Sequence, residues 1–123
     1  MTILSGIPVL HCQSIETTLE FYQRILHFVI VKKRNQDDKL SWVHIMHGET
    51  TLMLQAVANV SITEVSAQKK ISLYFFVDNI EDLQHLIKAK NSACSEIVVS
   101  EYSMKEFTLL DPEGNNIIIG QKS

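Results

Sequence analysis

Much that would mark a function is scarce in this sequence. Its two cysteines, Cys12 and Cys94, are too few for a disulfide framework. They form no CxxC pair of the kind that holds zinc, so both are expected to be reduced, structural and partly buried. Positive charge is not in excess. Lys and Arg number 11 against 14 Asp and Glu, giving a formal charge of −3. Without a basic field, nucleic acid is not an expected partner. No apolar run reaches the ~18 residues of a membrane span. Met1 to Val9 carries no basic residue before its apolar stretch, and Pro8 falls early. No signal peptide is expected there, and the expected compartment is the cytoplasm. What remains is 123 residues, 46% apolar and 20% charged. That is the composition of one globular domain, not of a disordered tail, a collagen or a coiled coil.

The apolar period alternates along the chain. Ile7 to Gln13 reads as a buried strand. From Ser14, a good N-cap, Ile15, Leu19, Tyr22, Ile25 and Leu26 recur at helical spacing. The helix should end near Leu26, with His27 in a left-handed turn. Phe28 to Lys33, Ser41 to His47 and Thr50 to Val57 are expected strands, joined by turns at Asn35–Asp38 and Gly48-Glu49. The second half repeats this order. Ile71 to Val77 is a strand, Asn79 caps a helix striped by Ile80, Leu83, Leu86 and Ile87, and Asn91 ends it. Strands follow at Glu96 to Tyr102, Lys105 to Leu110 and Asn116 to Gly120.

The halves superpose. Ser14-Ile15-Glu16 matches Asn79-Ile80-Glu81, Gly48 matches Gly114, and Gln55 matches Gln121, at nearly constant offset. The expected architecture is α+β, with two βαβββ repeats forming a curved mixed sheet, a cup with the helices outside. The units run about 5–57 and 70–121 within one domain, joined by a polar connector, 58–69, with room for a helical turn.

Specific residues carry a family resemblance. They are Ile7-Pro8-Val9-Leu10, the helix ending Phe21-Tyr22 with Leu26-His27-Phe28 after it, Phe76-Val77-Asp78-Asn79-Ile80-Glu81, and Glu106-Phe107…Asp111-Pro112-Glu113-Gly114-Asn115. This pattern resembles the glyoxalase, bleomycin-resistance and extradiol-dioxygenase proteins, the vicinal oxygen chelate superfamily. The resemblance implies a homodimer, with the site at the subunit interface. It also implies metal ligands on the first and last strands of each unit in the enzymes of the family. Here those positions fall to Ile7, Leu52, Ser72 and Ile118. Three of them cannot coordinate a metal, and a serine hydroxyl alone is a poor ligand. The expectation is therefore no metal and no cofactor, closest in character to the metal-free bleomycin-resistance proteins.

Strand alternation assigns the remaining candidates. Leu10 and Cys12 should face the helix, and Val9 and His11 the cup. Trp42, His44 and Met46 share one face of their strand, and Val43, Ile45 and His47 the other. Trp42 with His44 reads either as a ligand-stacking wall or as packing at a sheet edge or dimer contact. His47, beside Gly48, reads as an exposed turn residue. Tyr74 and Phe76 place two aromatics toward the cup, and Tyr102 is a candidate to join them. His11 reads as a polar contact or a hydrogen-bonded core histidine before it reads as a base. Lys32-Lys33-Arg34 reads as the solvated end of an exposed strand.

The expected function is the binding or sequestration of a small molecule, such as an antibiotic or toxin, held by His11, Trp42, His44, Tyr74, Phe76 and Tyr102. Residues 62–123 hold 6 basic and 9 acidic groups against 5 and 5 in 1–61, so the ligand is expected to be planar or cationic. One alternative is a lyase- or dioxygenase-type enzyme with a non-standard metal site using His11, His44 or Glu101. Another is a regulatory dimer with a vestigial cup.

Overall fold

Burial that alternates along all but two exposed edge strands builds two sheets, each with one face under a helix. The computed structural model describes residues 1–57 and 70–123. The expected connector, 58–69, lies outside the described residues. By its internal contacts the chain divides into two units, Met1–Gln68 and Lys69–Ser123.

The first unit holds β1 (Val9–Cys12), α1 (Ile15–Arg24), β2 (Val29–Gln36), β3 (Lys39–His47) and β4 (Thr50–Ala56). Its sheet order is β1-β4-β3-β2. β1 pairs parallel to β4, and the other pairs are antiparallel. A parallel pair needs a long crossover, which α1 and the hairpins supply. Leu10, Cys12, Val43, Ile45, Leu52 and Leu54 are buried on one face, and α1 packs over β3 and β4. From the helix come Ile15, Thr18 and Tyr22, one apolar stripe at three-to-four-residue spacing. Tyr22 meets both Phe21 and Phe28 edge-on, with centroids 5.3 and 5.6 Å away.

The second unit repeats the plan. It holds β5 (Ser72–Phe76), α2 (Ile80–Ala89), β6 (Val98–Val99), β7 (Met104–Leu110) and β8 (Asn116–Lys122). The sheet order is β5-β8-β7-β6, with β5 parallel to β8. Leu73, Phe107, Leu109, Ile117 and Ile119 are buried with Ile80 and Ile87 of α2. Both sheets are mixed and curved, and the architecture is α+β with a βαβββ unit in each half.

Several terminal devices match the sequence expectation. His27 (φ 60°) and Asn91 (φ 57°) are both left-handed. At Asn91 the helix closes with Ser92 N–H on the Ile87 carbonyl (3.2 Å) and Asn91 N–H on the Lys88 carbonyl (3.0 Å), a Schellman pattern. The Asn79 carboxamide caps α2 by accepting from Asp82 N–H at 3.0 Å. Ser14 departs from its counterpart. It makes no side-chain cap bond, because its hydroxyl donates to Thr17 Oγ1 at 2.8 Å instead. Both cysteines are free thiols, Cys12 buried and Cys94 half-buried. Burial pushes the Cys94 thiol above its ordinary value, away from nucleophile character.

The β2–β3 hairpin turns on two residues, Asp37 (φ 53°) and Asp38 (φ 62°). Two successive positive φ values are those of a type I′ turn, where glycine is favoured second. Asp38→Gly should therefore stabilise the fold by about 0.5–1 kcal/mol, by relieving left-handed strain at an exposed site. Chemical denaturation reads this as a higher midpoint at unchanged slope, and no rise would mean the turn is not strained.

Candidate functional site

Among the described residues, each unit has one sheet face with no helix over it, and these faces carry the residues expected to bind. On β1, burial alternates so that Val9 and His11 point away from α1. The strand register then lays out two cross-strand rows. One runs His11–Gln55–Trp42–Arg34, and the next runs Val9–Met53–His44–Lys32. Trp42 and His44 sit on this face as neighbours, with ring centroids 6.3 Å apart and planes tilted by 46°. Gln55 is fixed by donating to the Ser41 carbonyl at 3.0 Å. His44 Nε2 is buried and has no hydrogen-bond partner among the described residues. His47, on the opposite face as expected, does more than border a turn. Its Nδ1 lies 2.8 Å from the Leu26 carbonyl, and its ring meets Phe28 edge-on.

Arg34 extends the first row. Its guanidinium lies over the Trp42 ring, 5.0 Å from the centroid, a cation–π contact. The Lys32-Lys33-Arg34 run is exposed as expected for an edge strand. Strand pairing of Arg34 with Trp42 was the signal that would have separated Arg34 from its neighbours.

The exposed face of the second sheet is built the same way. Its rows run Phe76–Gly120–Glu106 and Tyr74–Ile118–Thr108. Tyr74 and Phe76 stand side by side, with centroids 4.9 Å apart. Phe76 is 78% exposed and Tyr74 37%. The Tyr74 ring does not stay in its own row. It lies across Gly120, where a Cβ would collide with the phenol end of the ring. From there the hydroxyl donates to Glu106 Oε2 at 2.6 Å. That bond, some desolvation and the carboxylate charge push the Tyr74 pKa up to about 12. Neither Glu106 nor Gly120 is a binding candidate from the sequence alone. A lone glycine inside a strand is the sign of such a close approach.

Two expectations are corrected. Tyr102 is not on a strand. Only Val98–Val99 pair there, and Tyr102 lies in the turn ahead of β7, 82% exposed. Ser100 Oγ accepts from Tyr102 N–H (3.3 Å) and Met104 N–H (3.2 Å), and Ser103 takes φ 61°. That local turn ends the ladder before Tyr102, and no ring contact joins Tyr102 to Tyr74 or Phe76 among the described residues. The second correction concerns Leu52. It is 1% exposed, on the face under α1. The register pairs Val9 with Met53 just as it pairs Tyr74 with Ile118, so Met53 is the counterpart of Ile118.

With that correction, the positions that the resemblance marks for metal ligands hold Ile7 and Met53 in the first unit and Ser72 and Ile118 in the second. In neither unit does this pair fit a divalent metal, since the first offers an aliphatic chain and a thioether and the second a hydroxyl and an aliphatic chain. Among the described residues, no three His, Cys, Asp or Glu side chains gather as a metal site.

The chain belongs to the Glyoxalase/Bleomycin resistance protein/Dioxygenase superfamily, whose family model matches residues 8–119. No curated protein matches it. Among solved structures it resembles a bleomycin resistance determinant encoded on the transposon Tn5, at 19% identity over 97% of this chain and 98% of that one, TM-score 0.73. A bleomycin-binding protein complexed with bleomycin is also 19% identical, over 97% and 98% of the two chains, TM-score 0.71. A glyoxalase-related enzyme from Clostridium phytofermentans is 12% identical, over 100% and 98%, TM-score 0.80. At these identities the likeness is one of fold. No helix among the described residues is long and apolar enough to cross a membrane.

Proposed function

We propose that the protein binds a small molecule on the sheet faces opposite α1 and α2 and does so without a metal. The observation that carries this reading is the pairing of aromatic side chains at two-residue spacing on both faces. Trp42 stands beside His44, and Tyr74 beside Phe76, with Phe76 largely exposed. Large exposed aromatics cost solubility, so an unfilled aromatic face suits a ligand surface. Stacking and shape supply affinity there without a reactive group. The bleomycin-binding relative supports the reading, since it is a family fold used for holding a compound. His11 lies in the Trp42 row and extends the polar rim of the first face. A homodimer with the ligand at the subunit interface and a cytoplasmic setting complete the proposal, and sedimentation checks the first of these.

Trp42 is the one tryptophan, so its fluorescence reports on the first face alone. Titration with bleomycin and a panel of planar aromatic cations should give saturable quenching by at least one of them. His44→Ala should weaken that quenching about tenfold, the loss of one stacked ring and its polar handle. No quenching by any compound, with no heat in calorimetry, would overturn the binding reading.

The unpartnered His44 Nε2 favours one second reading, an enzyme with a non-standard metal site. Stoichiometric Zn, Ni, Mn or Fe retained after dialysis, and lost in His11→Ala or His44→Ala, would establish it in place of the first.

A further inference from the structure

The second face has a chemical bias that the first lacks. Glu106 stands in one row with Phe76, and the Tyr74 hydroxyl reaches diagonally to it. The phenol occupies Glu106 Oε2, and Oε1 accepts nothing from the described residues. No ion pair joins Glu106 to a basic side chain among them. Its chain neighbour Lys105 points to the other face, where it pairs with Glu81 at 2.8 Å. Lys122 shares the face, but its register partner is Met104, beyond the Phe76 row.

A half-buried carboxylate beside a pair of aromatic rings makes a surface of one sign. Ring faces carry negative quadrupole density, and a cation over them gains most where water is partly excluded. Donation from the Tyr74 hydroxyl to a carboxylate adds electron density to that ring. It also holds the phenol as a donor to Glu106, so that its proton is not offered to a ligand. An anion here would meet a carboxylate that no basic side chain among the described residues neutralises, and a neutral ligand would gain only contact area. The first face lacks this arrangement. In its corresponding row Trp42 takes the place of Glu106, and Arg34 lies over that ring.

We propose that Tyr74, Phe76 and Glu106 form a subsite for an organic cation, an alkylammonium seated against the two rings with Glu106 as its counter-ion. The subsite rests on the small-molecule-binding reading and names the charge of the ligand group it takes. Gly120 is a positioning residue, because its missing Cβ lets the Tyr74 ring lie flat enough to reach Glu106.

The test uses the full chain and two probes of equal shape. One is choline. The other is its uncharged isostere, in which a tert-butyl group replaces the trimethylammonium. Ring-proton shifts of Tyr74 and Phe76 are followed by NMR, assigned by Tyr74→Phe and Phe76→Leu. Choline should bind about tenfold tighter than the isostere, the scale of a partly desolvated cation–π and charge contact. Glu106→Gln should remove most of that ratio and leave isostere binding unchanged. If Glu106→Gln fails to fold, Phe76→Leu serves, weakening choline selectively while keeping apolar bulk. Equal binding of both probes, or a choline preference that survives Glu106→Gln, overturns the cation subsite and leaves small-molecule binding standing. No ring shift with either probe also overturns the subsite, while the Trp42 titration judges the broader reading separately.

Discussion

Asp111→Ala should cost the protein about 3 kcal/mol of stability, because one buried carboxylate organises the whole β7–β8 turn. Asp111 is nearly fully buried. Its Oδ1 accepts from Glu113 N–H and Asn115 N–H, both at 2.9 Å, and its Oδ2 accepts from the Asn115 amide at 3.0 Å. Asn115 in turn accepts from Ile71 N–H at 3.1 Å, which ties the turn to the residue before β5. Backbone bonds close the loop, Asp111 N–H to Asn115 and Gly114 N–H to Asp111, each 3.0 Å. Gly114 sits at φ 86°, where a side chain would be strained.

Each charge-assisted bond contributes about 1.5–3 kcal/mol, but the three are not additive. Removing the carboxylate also removes its desolvation cost, while three donors lose their acceptor in a buried site. The net of about 3 kcal/mol is a large part of the 5–15 kcal/mol typical of a domain. Denaturant melts of Asp111→Ala should show it, with the exposed Glu101→Ala control within ~0.5 kcal/mol of wild type. A loss below ~1 kcal/mol would mean that water replaces the carboxylate and that the turn is not its work.

This turn also shows what could be read without coordinates. The run Asp111-Pro112-Glu113-Gly114-Asn115 announced a tight turn and the family together, since its short polar side chains bond locally. Local rules of this kind held well. Alternation put Leu10 and Cys12 under the helix and Val9 and His11 opposite, and the left-handed residues at His27 and Asn91 followed from helix ends. Register did not follow from local rules. Matching Gly48 to Gly114 put Leu52 opposite Ile118, yet the two turns differ in length. Four residues lie between the paired Met46 and Thr51, and five between Leu110 and Asn116. One residue of slip moves a side chain through the sheet, so Leu52 went to the core and Met53 to the open face. Cross-strand neighbours were equally hidden. Nothing in the sequence order brings Arg34 to Trp42, or Tyr74 over Gly120 to Glu106, because strand pairing makes both contacts. The residue types of the candidate site were legible for this reason, and their partners were not.

Gly120→Ala should return the Tyr74 pKa from about 12 toward its ordinary value near 10, and at neutral pH it should cost only the stability that the Tyr74–Glu106 bond contributes. Gly120 does not have positive φ, so its backbone accepts alanine. The obstacle is the ring above it, for a Cβ there would occupy the space of the Tyr74 phenol end. That end is the far tip of a side chain more than a third exposed, so the ring swings away at little cost. It then loses the Glu106 carboxylate, the largest cause of its raised pKa. The sign follows from linkage. In the wild type the folded state holds the Tyr74 proton more tightly than the unfolded chain does. The stability this bond contributes is complete below pH ~10 and is lost as pH rises through ~12. In Gly120→Ala that loss disappears, since folded and unfolded phenols titrate together. Tyrosinate absorbance should show one group moving down by about two pH units, assigned by its absence in Tyr74→Phe. An unchanged titration would mean that the ring reaches Glu106 without the glycine. If the choline preference falls in Gly120→Ala along with the titration, the position of one phenol ring governs both.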